Sequence, residues 1–330
     1  MTRRMILLFG MPRSRTTRLG KIFDSHPDTL YRHEPDSVTP VTSVSILAES
    51  VTGQSLEQLR EYSSRIMQNR ALKVVGKTPV FPKCYLSRAA IQRYRAGISI
   101  ARFAGRAGVQ MPVPWTPVNG NDDTVVVWKS IESLGRLAAL LEALPEARAL
   151  HIVRHPCGYI ASVQRGETGG RFGDLSPSSE DFGLMETLLK TRTGQSWGLS
   201  MADIRAMYPE ERLAWRWSVF NDKAIEDTQN LPQALSFSYE RLCAAPIDVA
   251  RSLMEHTGLE WDEQIERFLR RSTSSTDAKY YSVFKDPAVA AWQWQDSLDC
   301  LKADRIVKIA SRSIAWKNLG YDQIAPPDMN

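Results

Sequence analysis

The chain has 330 residues, enough for one large α/β domain or two smaller ones. Its hydrophobic fraction of 43% is ordinary for a globular protein, and its formal net charge of +5 suits an anionic ligand but also general surface charge. There is no dense run of lysine and arginine, which argues against nucleic acid as a partner. No apolar stretch has the length of a transmembrane helix, so we expect no membrane span.

Four cysteines lie far apart, with no C-x-x-C pair and no histidine at zinc-ligand spacing. Isolated thiols are typical of a reducing compartment, which predicts a cytoplasmic protein with neither a disulfide framework nor a metal site. The first residues are basic and then apolar, as in a signal peptide. The apolar run is short and lacks a small-residue cleavage motif, so we interpret it as the first strand.

The most informative stretch begins with the apolar run Met5–Phe9, which ends at Gly10. A short polar loop and a helix-like segment follow. Strand, tight loop and helix N-terminus together bind phosphate or sulfate, because N–H groups converge on the anion and the helix dipole favours negative charge. On this loop alone, an ordinary turn with solvated arginines is an equal alternative. The candidate anion-binding residues are Arg13, Ser14, Thr16 and Thr17.

The loop does not match the Walker A motif, G-x-x-x-x-G-K-[ST]. Counted from Gly10, Arg15 stands where the second glycine belongs and Thr16 where the lysine belongs. A P-loop nucleotide kinase or other phosphotransferase is an alternative function. It needs a lysine on the phosphates and a magnesium-binding aspartate at a strand end, whereas Lys129 and Arg154 occupy the strand ends here.

A second arginine–hydroxyl pair follows another predicted strand, residues 149–153. Arg154 comes directly after this strand, Pro156 suits the first turn of a helix, and Ser162 lies two helical turns further on. Ligands of open parallel sheets bind outside the carboxyl ends of the strands, so Arg154 and Ser162 are candidates for a second phosphate site. The alternative is a helix-start arginine beside a small packed serine.

Apolar runs alternate with helical stripes along the chain, which predicts parallel strands joined by right-handed crossovers. The fold class we predict is α/β, with a P-loop-like central parallel sheet flanked by helices, a largely helical C-terminal third and long active-site loops. The predicted strands are residues 5–9, 125–128, 149–153 and 234–237, and the predicted helices after the first are residues 134–144, 247–257, 265–269 and 306–316.

Two stretches do not have core patterns. Residues 97–123 carry three prolines and a polar run, and residues 166–198 are rich in glycine, serine and threonine. Loops of this length are usually functional lids or disordered, so we interpret both as insertions that cover an acceptor site, with mobile surface insertions as the alternative. We find no repeat and no linker, so residues 1–330 are predicted to form a single domain.

In combination these segments resemble the sulfotransferases that use 3′-phosphoadenosine 5′-phosphosulfate (PAPS). Residues 11–19, MPRSRTTRL, resemble the family's 5′-phosphosulfate loop, usually P-R-S-G-T-T, and residues 153–162 resemble its 3′-phosphate motif. The H-P-D and E-P segments resemble the corresponding segments of the carbohydrate and tyrosylprotein branches of this family. The further matching segments are HPD at 26–28, EP at 34–35, GKTP at 76–79, WKS at 128–130, SYERL at 238–242 and the region 292–321.

The resemblance implies in-line transfer of the sulfuryl group of PAPS to an acceptor hydroxyl or amine, with adenosine 3′,5′-bisphosphate as product and no metal. The implied acceptor is a small molecule, a glycan or a peptide. Arg13 is then the candidate for stabilising charge on the leaving phosphate and the transferring group. Arg15 replaces the family's usual glycine. Its side chain either adds a positive charge next to the sulfate or the acceptor, points to solvent, or changes the affinity for the donor. If the substitution abolishes catalysis, the protein is a non-catalytic module that binds adenine nucleotides, which is a further alternative function.

Glu34 is the candidate base, because it matches the glutamate of the family's E-P segment. We expect Arg32, Arg13 and Arg15 to keep it ionised. His33 is the competitor, since imidazole titrates nearer neutral pH.

The other candidates follow from the matching segments. Lys77 and Lys129 are candidates for the acceptor site, with solvated lysines as the alternative. Tyr239 is a candidate contact for the adenine end. Lys279 is a candidate for the basic loop that closes over the nucleotide in this family.

Overall fold

The computed structural model describes residues 3–121, 123–169, 176–274 and 291–323. A central five-stranded sheet has the order β2-β3-β1-β4-β5, and every neighbouring pair is parallel. This sheet, flanked by helices, confirms the predicted α/β fold class. The strands are β1 (Met5–Phe9), β2 (Thr29–His33), β3 (Val125–Ser130), β4 (Arg148–Val153) and β5 (Ala234–Ser238).

Both faces of the sheet are covered, which explains why its strands are continuous apolar runs. In β1, Leu7 and Phe9 pack into one hydrophobic cluster with Trp217, while Ile6 and Leu8 pack into the other cluster. Successive side chains of a strand point to opposite faces, so one apolar run contributes to both cores.

The described residues include four short 3-10 turns, at Pro35–Ser37, Ile66–Gln68, Leu134–Arg136 and Ser178–Glu180. None of the described helices combines the length and apolar character that a bilayer crossing requires. The α-helices are α1 (Thr16–Asp24), α2 (Gly53–Arg65), α3 (Leu72–Val75), α4 (Arg88–Arg106), α5 (Leu137–Ala143), α6 (Pro156–Thr168), α7 (Phe182–Leu189), α8 (Arg192–Ser196), α9 (Met201–Ala206), α10 (Pro209–Thr228), α11 (Tyr239–Ala244), α12 (Pro246–Thr257), α13 (Glu263–Ser274), α14 (Cys300–Ala310) and α15 (Ile314–Leu319).

The prediction of a loop over residues 166–198 is wrong for most of its described part. Helix α6 continues to Thr168, and α7 and α8 follow. Polar side chains in this stretch are helix N-caps, among them Thr191, one of the threonines that suggested a loop. Asp181 accepts from the N–H of Leu184, and Thr191 accepts from the N–H of Gly194.

The prediction of a loop over residues 97–123 is wrong at its start, because α4 extends to Arg106. Gly97 lies inside this helix, where a Cβ atom would collide with the carbonyl oxygen of Pro114. The glycine therefore allows close packing of the returning chain. The helix predicted over residues 306–316 is two helices, because Ser313 caps α15 through the N–H of Trp316.

Candidate functional site

The two predicted anion-binding segments meet at the carboxyl edge of the sheet. Arg13, in the loop after β1, donates from Nε to Oγ of Ser162 on α6 at 3.2 Å. Arg154, directly after β4, donates from Nη1 to the carbonyl oxygen of Arg13 at 3.3 Å. Since β1 and β4 are neighbours in the sheet, their loops are brought together as predicted.

The loop after β1 is tightly folded. The N–H of Ser14 donates to the carbonyl oxygen of Met11 at 3.1 Å, and Arg13 and Arg15 have φ angles of 70° and 66° in the left-handed region. A Cβ atom on Gly10 would lie 2.6 Å from the carbonyl oxygen of Ile152, so glycine is required where the loop passes β4.

The loop presents donors at the N-terminus of α1. The first N–H groups of a helix have no intrahelical acceptor, and the N-cap residue Arg15 makes no side-chain capping bond. The buried Oγ of Ser14 has no hydrogen-bond partner within the described part of the chain. Thr16 is buried and Thr17 is half-buried. Unpaired buried hydroxyls are costly, so this donor set fits an anionic ligand.

Arg154 is fully buried beside Tyr239, the first residue of α11. Its Cζ lies 5.7 Å from the centroid of the Tyr239 ring, and the Cζ of Arg15 lies 5.9 Å from the same centroid. Burial, and then the nearby charge of Arg15, lower the pKa of Arg154 to about 10. Tyr239 therefore marks a place where two guanidinium groups converge.

Glu240 is the neighbouring carboxyl. It accepts the N–H of His155 at 3.0 Å and the hydroxyl of Tyr321 at 3.3 Å. Burial raises the pKa of Glu240 to about 7, although these hydrogen bonds and the charge of Arg154 oppose the rise. The ring of His155 stacks on Trp294 with centroids 5.0 Å apart. These contacts fix the start of α6 against the C-terminal helices.

A second group of charges surrounds Glu34. Its N–H donates to the carbonyl oxygen of Lys129 at 2.7 Å, and its Oε1 accepts a short hydrogen bond from Lys129 Nζ. Lys73 Nζ lies 3.6 Å from the other carboxylate oxygen. Burial raises the pKa of Glu34, but Lys129, Lys73 and Lys77 outweigh it, and the pKa is lowered from its ordinary value. Lys129 is 1% exposed, so it is a buried ion-pair partner and not a solvated lysine.

His33 lies beside Glu34, with its Nε2 atom 3.6 Å from Glu34 Oε1. Its Nδ1 atom forms a 2.8 Å hydrogen bond with the hydroxyl of Tyr31. Burial, and then the charges of Lys129 and Lys77, lower the pKa of His33 far below its ordinary value. The imidazole is therefore neutral at physiological pH.

The expectation that Arg32 helps to ionise Glu34 is wrong. The guanidinium of Arg32 is turned away and donates to the carbonyl oxygens of Met67 and Pro117, at 2.5 and 2.6 Å. Lys129, Lys73 and Lys77 instead keep Glu34 ionised. Lys73 was missed because α3, the short helix that carries it, has too few residues to show a periodic pattern.

Asp36 was also missed by sequence reasoning. It accepts hydrogen bonds from the hydroxyls of Ser130 and Ser133. Because Ser130 ends β3 next to Lys129, these bonds hold the turn after Glu34 against the strand end. The sequence feature that could have indicated this contact is Ser130, the serine of the W-K-S segment.

Lys77 lies on a segment that is tied to α1. Lys21 Nζ donates to Asp24 Oδ2 at 2.6 Å and to the carbonyl oxygens of Lys77 and Pro79 at 2.7 and 2.9 Å. Lys83 binds the other oxygen of Asp24 at 3.3 Å. Partial desolvation lowers the pKa of Lys77 itself, whose side chain is largely exposed near Glu34.

A cavity of about 550 Å³ lies next to the turn that follows Glu34. Pro35 and Thr39 line one side, and side chains of α2 and the following turn line the other. The charged side chains in its lining, Glu61 and Arg65, form an ion pair with each other. The cavity therefore offers mainly neutral polar groups. Lys279 lies outside the described residues.

The sequence profile of the Sulfotransferase family matches residues 6–263. The structure is similar to the sulfotransferase domain of the Synechococcus PCC 7002 olefin synthase, with a TM-score of 0.43 and 16% identity over 94% of each chain. It is also similar to mouse sulfotransferase SULT7A1 complexed with PAP, with a TM-score of 0.42 and 9% identity over 97% of this chain and 87% of that one. For a sulfotransferase from Alicyclobacillus acidocaldarius the TM-score is 0.38, with 15% identity over 96% of this chain and 100% of that one.

No curated protein sequence matches this chain significantly. The profile match covers most of the chain and includes both predicted anion-binding segments and the lysine–glutamate group. The chain belongs to the sulfotransferase family.

Proposed function

We propose that this sulfotransferase takes its sulfuryl group from PAPS and transfers it to an acceptor hydroxyl or amine, with Glu34 as the base. The observation that carries the proposal is the pair of bonds from Arg13 to Ser162 and from Arg154 to Arg13. They join two arginine–hydroxyl segments at the carboxyl edge of the sheet, the same edge at which β2, separated from β1 by β3, leads to Glu34. Two anion-binding segments suit a donor with anionic groups at two positions.

The residues present fit such a donor. The N-terminus of α1 and the buried hydroxyl of Ser14 suit the 5′-phosphosulfate end, together with Thr16 and Thr17. Arg154 and Ser162 suit the 3′-phosphate, and Tyr239 suits the adenosine. PAPS supplies an activated sulfuryl group whose leaving group is adenosine 3′,5′-bisphosphate.

Arg13 stabilises negative charge on the leaving phosphate and on the transferring group. Its backbone is held by Arg154 and its side chain by Ser162, so the guanidinium is preorganised. Fixed donors aimed at developing charge need no reorganisation during the reaction, which is the main source of rate in transfers of this type.

Glu34 accepts the proton of the acceptor. Lys129 keeps the carboxylate ionised and fixes its position, so Glu34 is ready to receive a proton at neutral pH. Its lowered pKa makes it a weak base, and its contribution comes from placement as much as from basicity. Neutral His33, already bonded to Tyr31, is the poorer candidate.

The cavity beside Pro35 suits the acceptor. Its neutral polar lining favours an uncharged, hydroxyl-bearing molecule such as a sugar over a charged peptide. Lys129, Lys73 and Lys77 are the cations that act on Glu34 at the proposed transfer point.

The test begins with calorimetric titration of adenosine 3′,5′-bisphosphate, with adenosine 5′-monophosphate and ATP–magnesium for comparison. We expect metal-independent binding that requires the 3′-phosphate and falls at least about tenfold in Arg154→Ala. Preference for ATP–magnesium would overturn the proposal in favour of a kinase.

The second step is transfer from PAPS to a panel of glycosides, phenols and amines. Glu34→Gln is expected to lower kcat by about 10² to 10⁴ without changing affinity for the bisphosphate. Glu146→Gln, an exposed glutamate before β4, is the matched control. Bisphosphate binding without any transfer would identify a binding module, and undiminished transfer by Glu34→Gln would remove Glu34 as the base.

A further inference from the structure

We propose that Arg15 forms a two-guanidinium clamp with Arg154 for the 3′-phosphate of the nucleotide, and that it does not act on the transferred group. The inference rests on the proposed function, because it assumes a nucleotide that carries a 3′-phosphate.

The first argument is position. The guanidinium carbons of Arg15 and Arg154 lie 5.9 and 5.7 Å from the centroid of the same ring, that of Tyr239. Tyr239 follows β5 and Arg154 follows β4, so the ring that both guanidinium groups approach lies at the carboxyl ends of these neighbouring strands. Arg13 instead donates from Nε to Oγ of Ser162. Arg13 and Arg15, the two arginines of the loop, thus lie against different residues.

The second argument is charge. The charge of Arg15 lowers the pKa of Arg154, in addition to the larger effect of burial, because the two positive charges repel each other. Glu240, a carboxyl whose charge acts on Arg154, already accepts two hydrogen bonds, and burial raises its pKa to about 7. A phosphate dianion between the two arginines would remove the repulsion.

The third argument is an unused donor. The Nε atom of Arg15 is buried and has no hydrogen-bond partner among the residues that the structure describes. A buried N–H without an acceptor is costly, and a phosphate oxygen is a suitable acceptor.

The backbone adds a fourth argument. Arg15 has a φ angle of 66°, a conformation that favours glycine, and its side chain makes no capping bond to α1. Only its backbone carbonyl serves the helix, by accepting the N–H of Arg18 at 3.0 Å, and glycine would supply the same carbonyl. A role in ligand binding accounts for an arginine where a glycine would be unstrained.

This strain makes the test direct. Arg15→Gly removes the guanidinium and at the same time relieves the backbone, so the variant should unfold at a temperature equal to or above that of the wild type. A loss of binding in this variant is not a loss of folding. Arg15→Lys keeps the charge without the planar fork, and Arg148→Gln, an exposed arginine at the opposite end of β4, is the control.

Each variant is titrated with adenosine 3′,5′-bisphosphate and with adenosine 5′-monophosphate. We expect Arg15→Gly to weaken binding of the bisphosphate about tenfold and binding of the monophosphate less than twofold, with Arg15→Lys in between. In the double variant Arg15→Gly/Arg154→Ala, the loss should differ from the product of the single losses, because both arginines act on one group.

Two results overturn the inference alone. One is a bisphosphate affinity that stays unchanged in Arg15→Gly, and the other is an equal loss for both nucleotides, which would place Arg15 at the 5′ end. A wild-type protein that does not distinguish the two nucleotides overturns the proposed function and this inference together.

Discussion

Arg13 Nε donates a hydrogen bond to Ser162 Oγ at 3.2 Å, although 149 positions separate the two residues in the chain. The bond links the loop after β1 to the helix after β4. The two segments of the candidate donor site are therefore coupled, because a change in α6 directly affects the position of Arg13 in the loop.

Removal of this hydroxyl should weaken nucleotide binding. Ser162→Ala deletes the acceptor of Arg13, and we expect the dissociation constant for adenosine 3′,5′-bisphosphate to rise about tenfold in calorimetry. Ser311→Ala, between α14 and α15, should leave it unchanged. Equal affinities for wild type and Ser162→Ala would show that the bond has no role in binding.

Lys129 should set the pH range of the reaction. Lys129→Met leaves a buried carboxylate without its partner, which costs about 3 kcal/mol or more of the free energy of unfolding. In the wild type, Glu34 loses its charge only below pH 4.5, because its pKa is lowered from that ordinary value. In the variant the pKa rises, so the acid limb of kcat/KM against pH moves upward.

Lys129→Arg keeps the charge and is the control for this shift. It should keep the wild-type acid limb even where its rate differs. An acid limb at the same pH in all three proteins would mean that Glu34 is not the titrating base. A limb near pH 6.5 would point to His33, whose pKa the structure places far lower.

Gly158 should be required for the position of Arg154. A Cβ atom there would lie 2.9 Å from Arg154 Nε and 3.3 Å from Trp294 Cδ1. Gly158→Ala gains up to about 1 kcal/mol of helix propensity and loses a similar amount through overpacking, so the melting temperature should change little. Affinity for the bisphosphate should fall several-fold, because the guanidinium is displaced.

Gly183, on α7, is the matched control, since no atom lies within 4 Å of a Cβ placed there. Gly183→Ala should stabilise the protein by up to about 1 kcal/mol and leave affinity unchanged. If Gly158→Ala binds the bisphosphate like the wild type, Arg154 does not depend on this contact.

Glu240 should make stability depend on pH. Its pKa is about 7 in the folded protein and 4.5 ordinarily, so the folded state binds the proton more tightly between these values. Its contribution to the free energy of unfolding is therefore full below pH 4.5 and is lost as pH rises through 7, by at most about 1.4 kcal/mol per pH unit.

Glu240→Gln removes this titration while it keeps an oxygen for the N–H of His155. Urea unfolding at several pH values between 4.5 and 7 should show a smaller decline of stability with pH in the variant than in the wild type. Parallel curves for the two proteins would show that Glu240 does not titrate in this window.

The meeting of the two loops at the candidate donor site could be predicted from the sequence because its geometry is local. A strand, a short loop and a helix start place Arg13 and Arg154 within a few residues of strand ends, and strand ends of a parallel sheet share an edge. The strand predicted at residues 149–153 and the helix predicted at residues 247–257 are confirmed for the same reason.

The surroundings of Glu34 could not be predicted, because they depend on distant contacts. Arg32 was expected there and Lys73 was not, since the direction of each side chain is decided by carbonyl groups and helices far along the chain. Composition also misled where serine, threonine and aspartate cap helices such as α7 and α8. Capping residues and loop residues are of the same types.

The pairing of β2 with β3 has a consequence for protein engineering. His33 ends β2 at the carboxyl edge of the sheet, whereas Val125 begins β3 opposite Thr29 at the other edge, so the long connection, residues 34–124, crosses from one edge of the sheet to the other. Such a connection can be exchanged as a cassette, because the paired strands fix both of its ends. The arginines of the candidate donor site lie outside it.

A chimaera that replaces residues 38–121 with the corresponding segment of another family member would therefore exchange acceptor preference between enzymes while it keeps one donor. The graft must retain the backbone carbonyls that Lys21 holds and a lysine equivalent to Lys83, since these anchor the cassette to α1.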